Sequence, residues 1–193
     1  MVPFWLPSLW IAVGLLALPR NPLAVMLGYH ALLASACLRG NPHWGRLDRT
    51  SWTWLAVGLA ALALPFLLPR LPSFPRAEAV RLLSHWPGGL WGHLPYALVI
   101  NVPLEEGYWR GALEARHGTW SPWRQGAAFG LHHAVAAALS LPRMWILPAF
   151  LVTAAAGAFW TQSVRRAGGL GFALLSHALA DLLLVLFVAR QLG

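Results

Sequence analysis

Residues 169–189 read GLGFALLSHALADLLLVLFVA. A helix needs about 20 apolar residues to cross the hydrocarbon layer of a bilayer. This run carries two ionisable groups, His177 and Asp181, spaced i, i+4 so that they share one helix face. Charge inside hydrocarbon is costly, so a group retained there is a functional candidate by default. Outward from this stretch the pattern repeats. Apolar runs also occupy residues 3–19, 22–38, 51–68, 89–112, 126–141 and 144–164. The fold class expected is all-α: a polytopic membrane protein of about seven transmembrane helices, with 1–193 as a single integral membrane domain.

Composition agrees. Hydrophobic residues make up 58% of the chain and charged residues 10%, against a usual charged share of about 25%. That is too little charge to cover a water-soluble domain, and too much apolar content for disorder. The net charge is +8 and every basic residue is arginine. The arginines are scattered between apolar runs, so the expected partner is membrane lipid with anionic head groups, not nucleic acid. The one cysteine, Cys37, permits no internal disulfide and no cysteine-based metal site. Trp44, Trp52, Trp86, Trp120 and Trp123 lie near span ends, as in an interfacial belt. Between the third and fourth spans, PRLPSFPR (69–76) is too proline-rich for helix. AEAVRLLSHW (77–86) suits an amphipathic interfacial helix. The arginine loops divide almost evenly between the two faces, a weak vote for an inside N-terminus.

The spans hold a short list of polar groups. Glu105, Glu106 and Arg110 are in the fourth, His132 and His133 in the fifth, His177 and Asp181 in the seventh. Half of the six acids in the chain are in this set. Glu105, His133 and His177 each lie about eight or nine residues from an adjoining loop, roughly 12–14 Å along a helix. With four spans between 89 and 189, those three loops share one membrane face. Glu106 and Arg110 are i, i+4 and can pair, while Glu105 is turned about 100° away. Phe129 and His133 are also i, i+4, so the ring can pack beside the imidazole. Asp181 can fix the tautomer of His177 or share a bound ion with it. Pro103 removes a helical hydrogen bond beside the carboxylates and should kink the fourth span. Asn101 can hydrogen-bond beside that kink. His132 faces away from His133, towards packing or a supporting role behind the site residues. His30, His43, His85, His93 and His117 are expected at interfaces or in loops.

Glu105-Glu106-x-x-x-Arg110, Phe129-x-x-x-His133 and His177-x-x-x-Asp181 resemble, in order, the three motifs of the CPBP family: the CAAX proteases and bacteriocin-processing (Abi) enzymes. The resemblance covers about residues 96–190, taken as the catalytic core, and leaves out the first two spans. It implies an intramembrane endopeptidase in a prokaryotic plasma membrane, acting on a peptide or lipidated protein. Carried over, Glu105 is the general base that activates water, and Glu106 and Arg110 are a supporting pair. His133 and His177 bind the water, a metal or the developing oxyanion. Asp181 stands where many relatives have Asn, which leaves three roles open to it: orienting His177, ligating a metal, or stabilising the transition state. Phe129 is packing support.

The residues support the same chemistry without the family. Peptide hydrolysis needs a nucleophile, an acid-base group and stabilisation of the oxyanion. Ser176 adjoins His177 but is turned to a different face, and Cys37 is far away in sequence, so activated water is favoured. Glu105, His133 and His177 suit zinc with an open position, and a metal-free version is equally writable. Two other readings stand beside the peptidase. One is a non-catalytic scaffold or bacteriocin-immunity factor that binds a partner in the same cavity. The other is a small transporter or proton relay, for which polar groups should continue towards the second face.

Overall fold

Prolines and glycines set where these helices begin and end. The computed structural model describes residues 3–18, 22–40, 77 and 88–192. The span expected at 51–68 lies outside the described residues, as does the interfacial helix expected at 77–86 apart from Ala77. Among the described residues there are six helices and no strand. They are α1 (Leu6–Ala17), α2 (Pro22–Gly40), α3 (89–117), α4 (Pro122–Ser140), α5 (Ile146–Ala167) and α6 (Gly171–Leu192).

Helix α3 changes winding as it goes. Ala97–Asn101 and Gly107–Ala112 are π-helical, and Val102–Glu106 between them is α-helical. Pro95 and Pro103 lack an N–H, and their rings press on the carbonyl four residues back. The π winding takes up this misfit, so the disturbance expected at Pro103 is a change of pitch in a continuous helix. Glu105 and Glu106 therefore sit on a single α turn between two wider ones, a common setting for functional groups.

The other boundaries are locally encoded. Ser121 is extended, its Oγ accepts the Arg124 N–H at 3.2 Å, and Pro122 opens α4. Leu141, before Pro142, is extended and ends α4. Gly168, at φ 72°, ends α5 and donates its N–H to the Val164 carbonyl at 2.9 Å.

Two helices, Arg143–Ala167 and Gly171–Arg190, are long and apolar enough to cross a membrane, and Leu6–Ala17 and Leu23–Arg39 are apolar but shorter. The described residues thus fall short of the expected seven spans, for a physical reason. Helix α1 is only about 18 Å long, and α3 and α4 give up apolar positions to Glu105, Glu106, Arg110, Gln125, His132 and His133. The outer surface is nevertheless apolar. Leu9, Val13 and Leu16 on α1, Leu147 and Leu151 on α5, and Leu184 on α6 are all exposed. Such a coat suits lipid.

Helices α4 and α5 pack most closely. A methyl group added at Gly126 would lie 2.3 Å from the Ala154 carbonyl oxygen, and one at Gly130 would lie 2.7 Å from that of Phe150. This is the small-residue seam by which helices approach without a hydrophobic driving force. Gly126→Ala should lower the thermal midpoint in detergent, at a cost of about 1–3 kcal/mol. An unchanged midpoint would mean that the two helices tolerate separation there.

The seam is tied at one end by Arg165. Its Nε and Nη2 donate to Glu114 Oε1 and Oε2 at 2.6 and 3.0 Å, and Nη2 also reaches the carbonyls of Gly118 and Trp120 at 3.1 and 2.6 Å. Gln125 Nε2 donates to Glu114 as well. The end of α3, the start of α4 and the end of α5 therefore lie together, on one side, as the four-helix count requires.

Candidate active site

Four helices bring the polar groups to one place. On α3, Glu106 is fully buried, and its Oε1 accepts from Arg110 Nη1 at 2.9 Å. The i, i+4 pair read from sequence is thus formed. The Arg110 guanidinium lies over the rings of Phe129 at 4.2 Å and Trp160 at 5.1 Å, so two cation–π faces help to hold a cation that water cannot reach. Gly157 of α5 makes room for it. A Cβ there would come within 3.1 Å of Arg110 Nη2 and 3.0 Å of Phe129.

His177 of α6 meets the same carboxylate. Its Nδ1 lies 2.7 Å from Glu106 Oε1. A carboxylate accepts, so Nδ1–H donates and the tautomer is set by Glu106. The imidazole is stacked on Trp160 at 4.5 Å, which fixes the plane of the ring. Its Nε2 then points to Glu105 Oε2 at 3.9 Å and Asp181 Oδ1 at 3.7 Å. Both are too long for hydrogen bonds, yet close enough for strong electrostatic coupling.

Glu105, one residue from Glu106, is turned away from Arg110 as its helical phase requires. Its Oε1 accepts from the Tyr29 hydroxyl at 2.9 Å. Its Oε2 is buried with no hydrogen-bond partner among the described residues, as are Glu106 Oε2 and Arg110 Nη2. On α4, His133 Nδ1 donates to the Phe129 carbonyl at 3.0 Å, which puts the lone pair of the neutral ring on Nε2. The Phe129 ring lies 4.2 Å from the His133 ring, the packing expected from their spacing. His133 is near enough to His177 and Asp181 to couple with their charges.

Sequence reasoning missed the contribution of the N-terminal helices. Tyr29 of α2 is 1% exposed and stacks in parallel on His132, with centroids 5.2 Å apart. His132 in turn meets Ser8 Oγ of α1 at 3.1 Å. His30, expected at an interface, is buried. Its Nε2 meets Asn101 Oδ1 at 2.8 Å and its Nδ1 meets the Tyr96 hydroxyl. The hydrogen bond expected of Asn101 is therefore made, and polar groups continue along α3 beyond Glu105. His93 also lies within α3, half-buried, and His117 ends that helix, stacked on Trp120 at 4.7 Å. Cys37, distant in sequence, places Sγ 3.7 Å from the carbonyl of Leu104, next to Glu105. Ser176 spends its hydroxyl on the Phe172 carbonyl at 2.8 Å, which removes it as a nucleophile. A single aromatic among the apolar residues of α2 carries no sequence signal that it will meet a glutamate 76 positions away.

Zinc is the cofactor that the sequence suggests for Glu105, His133 and His177. Among the described residues, no group of three or more His, Cys, Asp or Glu side chains is arranged to hold a metal ion. Glu105 Oε1 meets Tyr29 and His177 Nδ1 meets Glu106, so Glu105 Oε2 and His177 Nε2 are the atoms left without a hydrogen bond among the described residues.

No curated protein and no solved structure matches the chain. A family model does match: the type II CAAX prenyl endopeptidase Rce1-like family, over residues 87–183. The matched segment runs from the start of α3 into α6 and includes Glu105, Glu106, Arg110, Phe129, His133, His177 and Asp181. It leaves out α1 and α2, and with them Tyr29 and Ser8. With just over half of its length under that match and all three motifs inside it, the chain belongs to the type II CAAX prenyl endopeptidase Rce1-like family of integral membrane proteases.

Proposed function

We propose that this protein is an intramembrane endopeptidase that hydrolyses a membrane-associated, prenylated CAAX-like peptide with water activated at Glu105. One observation carries the reading: a buried carboxylate oxygen, Glu105 Oε2, has no hydrogen-bond partner among the described residues and faces His177 Nε2 at 3.9 Å. An oxygen atom placed off that axis lies within about 2.8 Å of both. Glu105 Oε2 takes a proton from water there, and the hydroxide oxygen attacks the scissile carbonyl. His133 Nε2, whose other nitrogen is occupied by the Phe129 carbonyl, accepts a hydrogen bond from the attacking water. His177 Nε2, when it carries a proton, donates to the developing oxyanion, and Asp181 Oδ1 at 3.7 Å balances that charge. The C–N bond then breaks, and the proton held on Glu105 passes to the leaving amine. Glu106 and Arg110 do no chemistry in this scheme. They hold His177.

The test is the fate of a peptide ending in a farnesylated cysteine and three further residues. Purified protein in lipid nanodiscs should release the terminal tripeptide, seen by mass spectrometry, with one labelled oxygen in the new carboxylate when the reaction runs in ¹⁸O-water. The rate should survive a zinc chelator, since every step above uses only side chains. Loss of the rate on chelation, restored by zinc, would overturn the metal-free scheme. An intact peptide, with the protein demonstrably folded, would overturn the peptidase and favour a partner-binding scaffold.

A further inference from the structure

The N-terminal helix pair supplies a part of the active site that the family-matched segment lacks. Glu105 has two oxygens, and they are not equivalent. Oε1 accepts from Tyr29 at 2.9 Å, while Oε2 is buried without a hydrogen-bond partner among the described residues. The phenol therefore decides which oxygen is available, and its geometry is itself constrained. Tyr29 is almost wholly enclosed, lies face to face with His132 at an interplanar angle of 14°, and meets His30 edge-on at 5.0 Å. His132 is fixed from behind by Ser8 of α1. A carboxylate on a helix can rotate about its last side-chain bond, and that bond is soft. One charge-assisted hydrogen bond from a locked donor removes that freedom.

We propose that Tyr29 is the positioning residue of the catalytic glutamate: its hydroxyl clamps Glu105 Oε1 so that Oε2 is the base, and α1 and α2 are thereby an obligatory part of the active site. The assignment rests on Glu105 being the base, as argued above. It differs from a packing role for Tyr29, because packing needs the ring and positioning needs the oxygen.

Tyr29→Phe separates the two. The ring and its stack on His132 remain, and only the hydroxyl is lost. With the farnesylated peptide, kcat should fall roughly ten- to a hundredfold, the scale of a lost hydrogen bond to a charged group. KM and the thermal midpoint in detergent should stay at their wild-type values. In the Glu105→Gln background the same change should have no further effect on kcat, since there is no base left to position. A wild-type kcat in Tyr29→Phe, or an equal fall in both backgrounds, would overturn the proposal.

The contact can be read without turnover. In protein labelled with ¹³Cζ-tyrosine, the Tyr29 resonance is the one that Tyr29→Phe deletes. It should shift in Glu105→Gln, where an amide oxygen replaces the carboxylate. A shift together with wild-type turnover in Glu105→Gln would mean that the contact exists but that Glu105 is not the base, which overturns the role of Glu105 and the positioning role of Tyr29 together. No shift would overturn the clamp alone.

Discussion

Replacing Glu105 by glutamine is expected to reduce kcat on the prenylated peptide by about 10²- to 10⁴-fold, the range that general acid–base catalysis supplies. The fold should survive. Glutamine keeps the shape of the side chain and an oxygen that can accept from the Tyr29 hydroxyl, now held at 2.9 Å. What it loses is the basic oxygen at the Oε2 position, 3.9 Å from His177 Nε2. The thermal midpoint in detergent should therefore match the wild type or exceed it, because a buried carboxylate without a full set of partners is a destabilising feature. Turnover within a factor of two or so of wild type, at equal folding, would remove Glu105 from the mechanism.

Glu106 should behave in the opposite way, with the larger effect on stability. Its Oε1 accepts from Arg110 at 2.9 Å and from His177 at 2.7 Å, and the residue is 0% exposed. Glu106→Ala leaves the Arg110 guanidinium buried against the Phe129 and Trp160 rings without the carboxylate that pairs with it. Breaking a buried pair from one side typically costs about 3–5 kcal/mol. Such a loss is a large part of the stability of most domains, so the variant should melt far below wild type or fail to accumulate. Removing both charges is different. Glu106→Leu combined with Arg110→Met should recover much of the midpoint, because apolar replacements of a buried pair are often neutral or stabilising. Activity should not recover with it, since His177 Nδ1 has then lost the acceptor that sets its tautomer and its plane. A double variant as active as wild type would show that the pair serves packing alone. A double variant as unstable as the single one would show that Glu106 is needed chiefly for His177.

The two neighbouring carboxylates thus take different roles through geometry that one helical step provides. At about 100° per residue, Glu106 meets Arg110 and the Nδ1 of His177 on α6, while Glu105 meets Tyr29 of α2 and turns its unpartnered oxygen towards His177 Nε2. The π winding on both sides adjusts where that step falls. Ala97–Asn101 and Gly107–Ala112 bracket the pair. Sequence shows two prolines that forbid ordinary hydrogen bonding, but it does not show how the helix absorbs them.

Local chemistry determined much from sequence alone. Apolar length and scarce charge set the all-helical, membrane-suited class. The i, i+4 spacing set the Glu106–Arg110 pair, the Phe129–His133 contact and the approach of His177 to Asp181. These are interactions within one helix, so periodicity is sufficient to place them. Equal depth from loops on one face also brought the motifs of α3, α4 and α6 together, because helical rise is constant. Tertiary structure alone decided which groups answer each other across helices. Glu106, not Asp181, holds Nδ1 of His177. Gly126 and Gly130 open the seam that lets α5 bring Trp160 against Arg110 and His177. Tyr29, His30 and Ser8 reach the site from α1 and α2. Such contacts depend on the rotation and separation of packed helices, which close packing fixes and which no spacing along a single segment encodes.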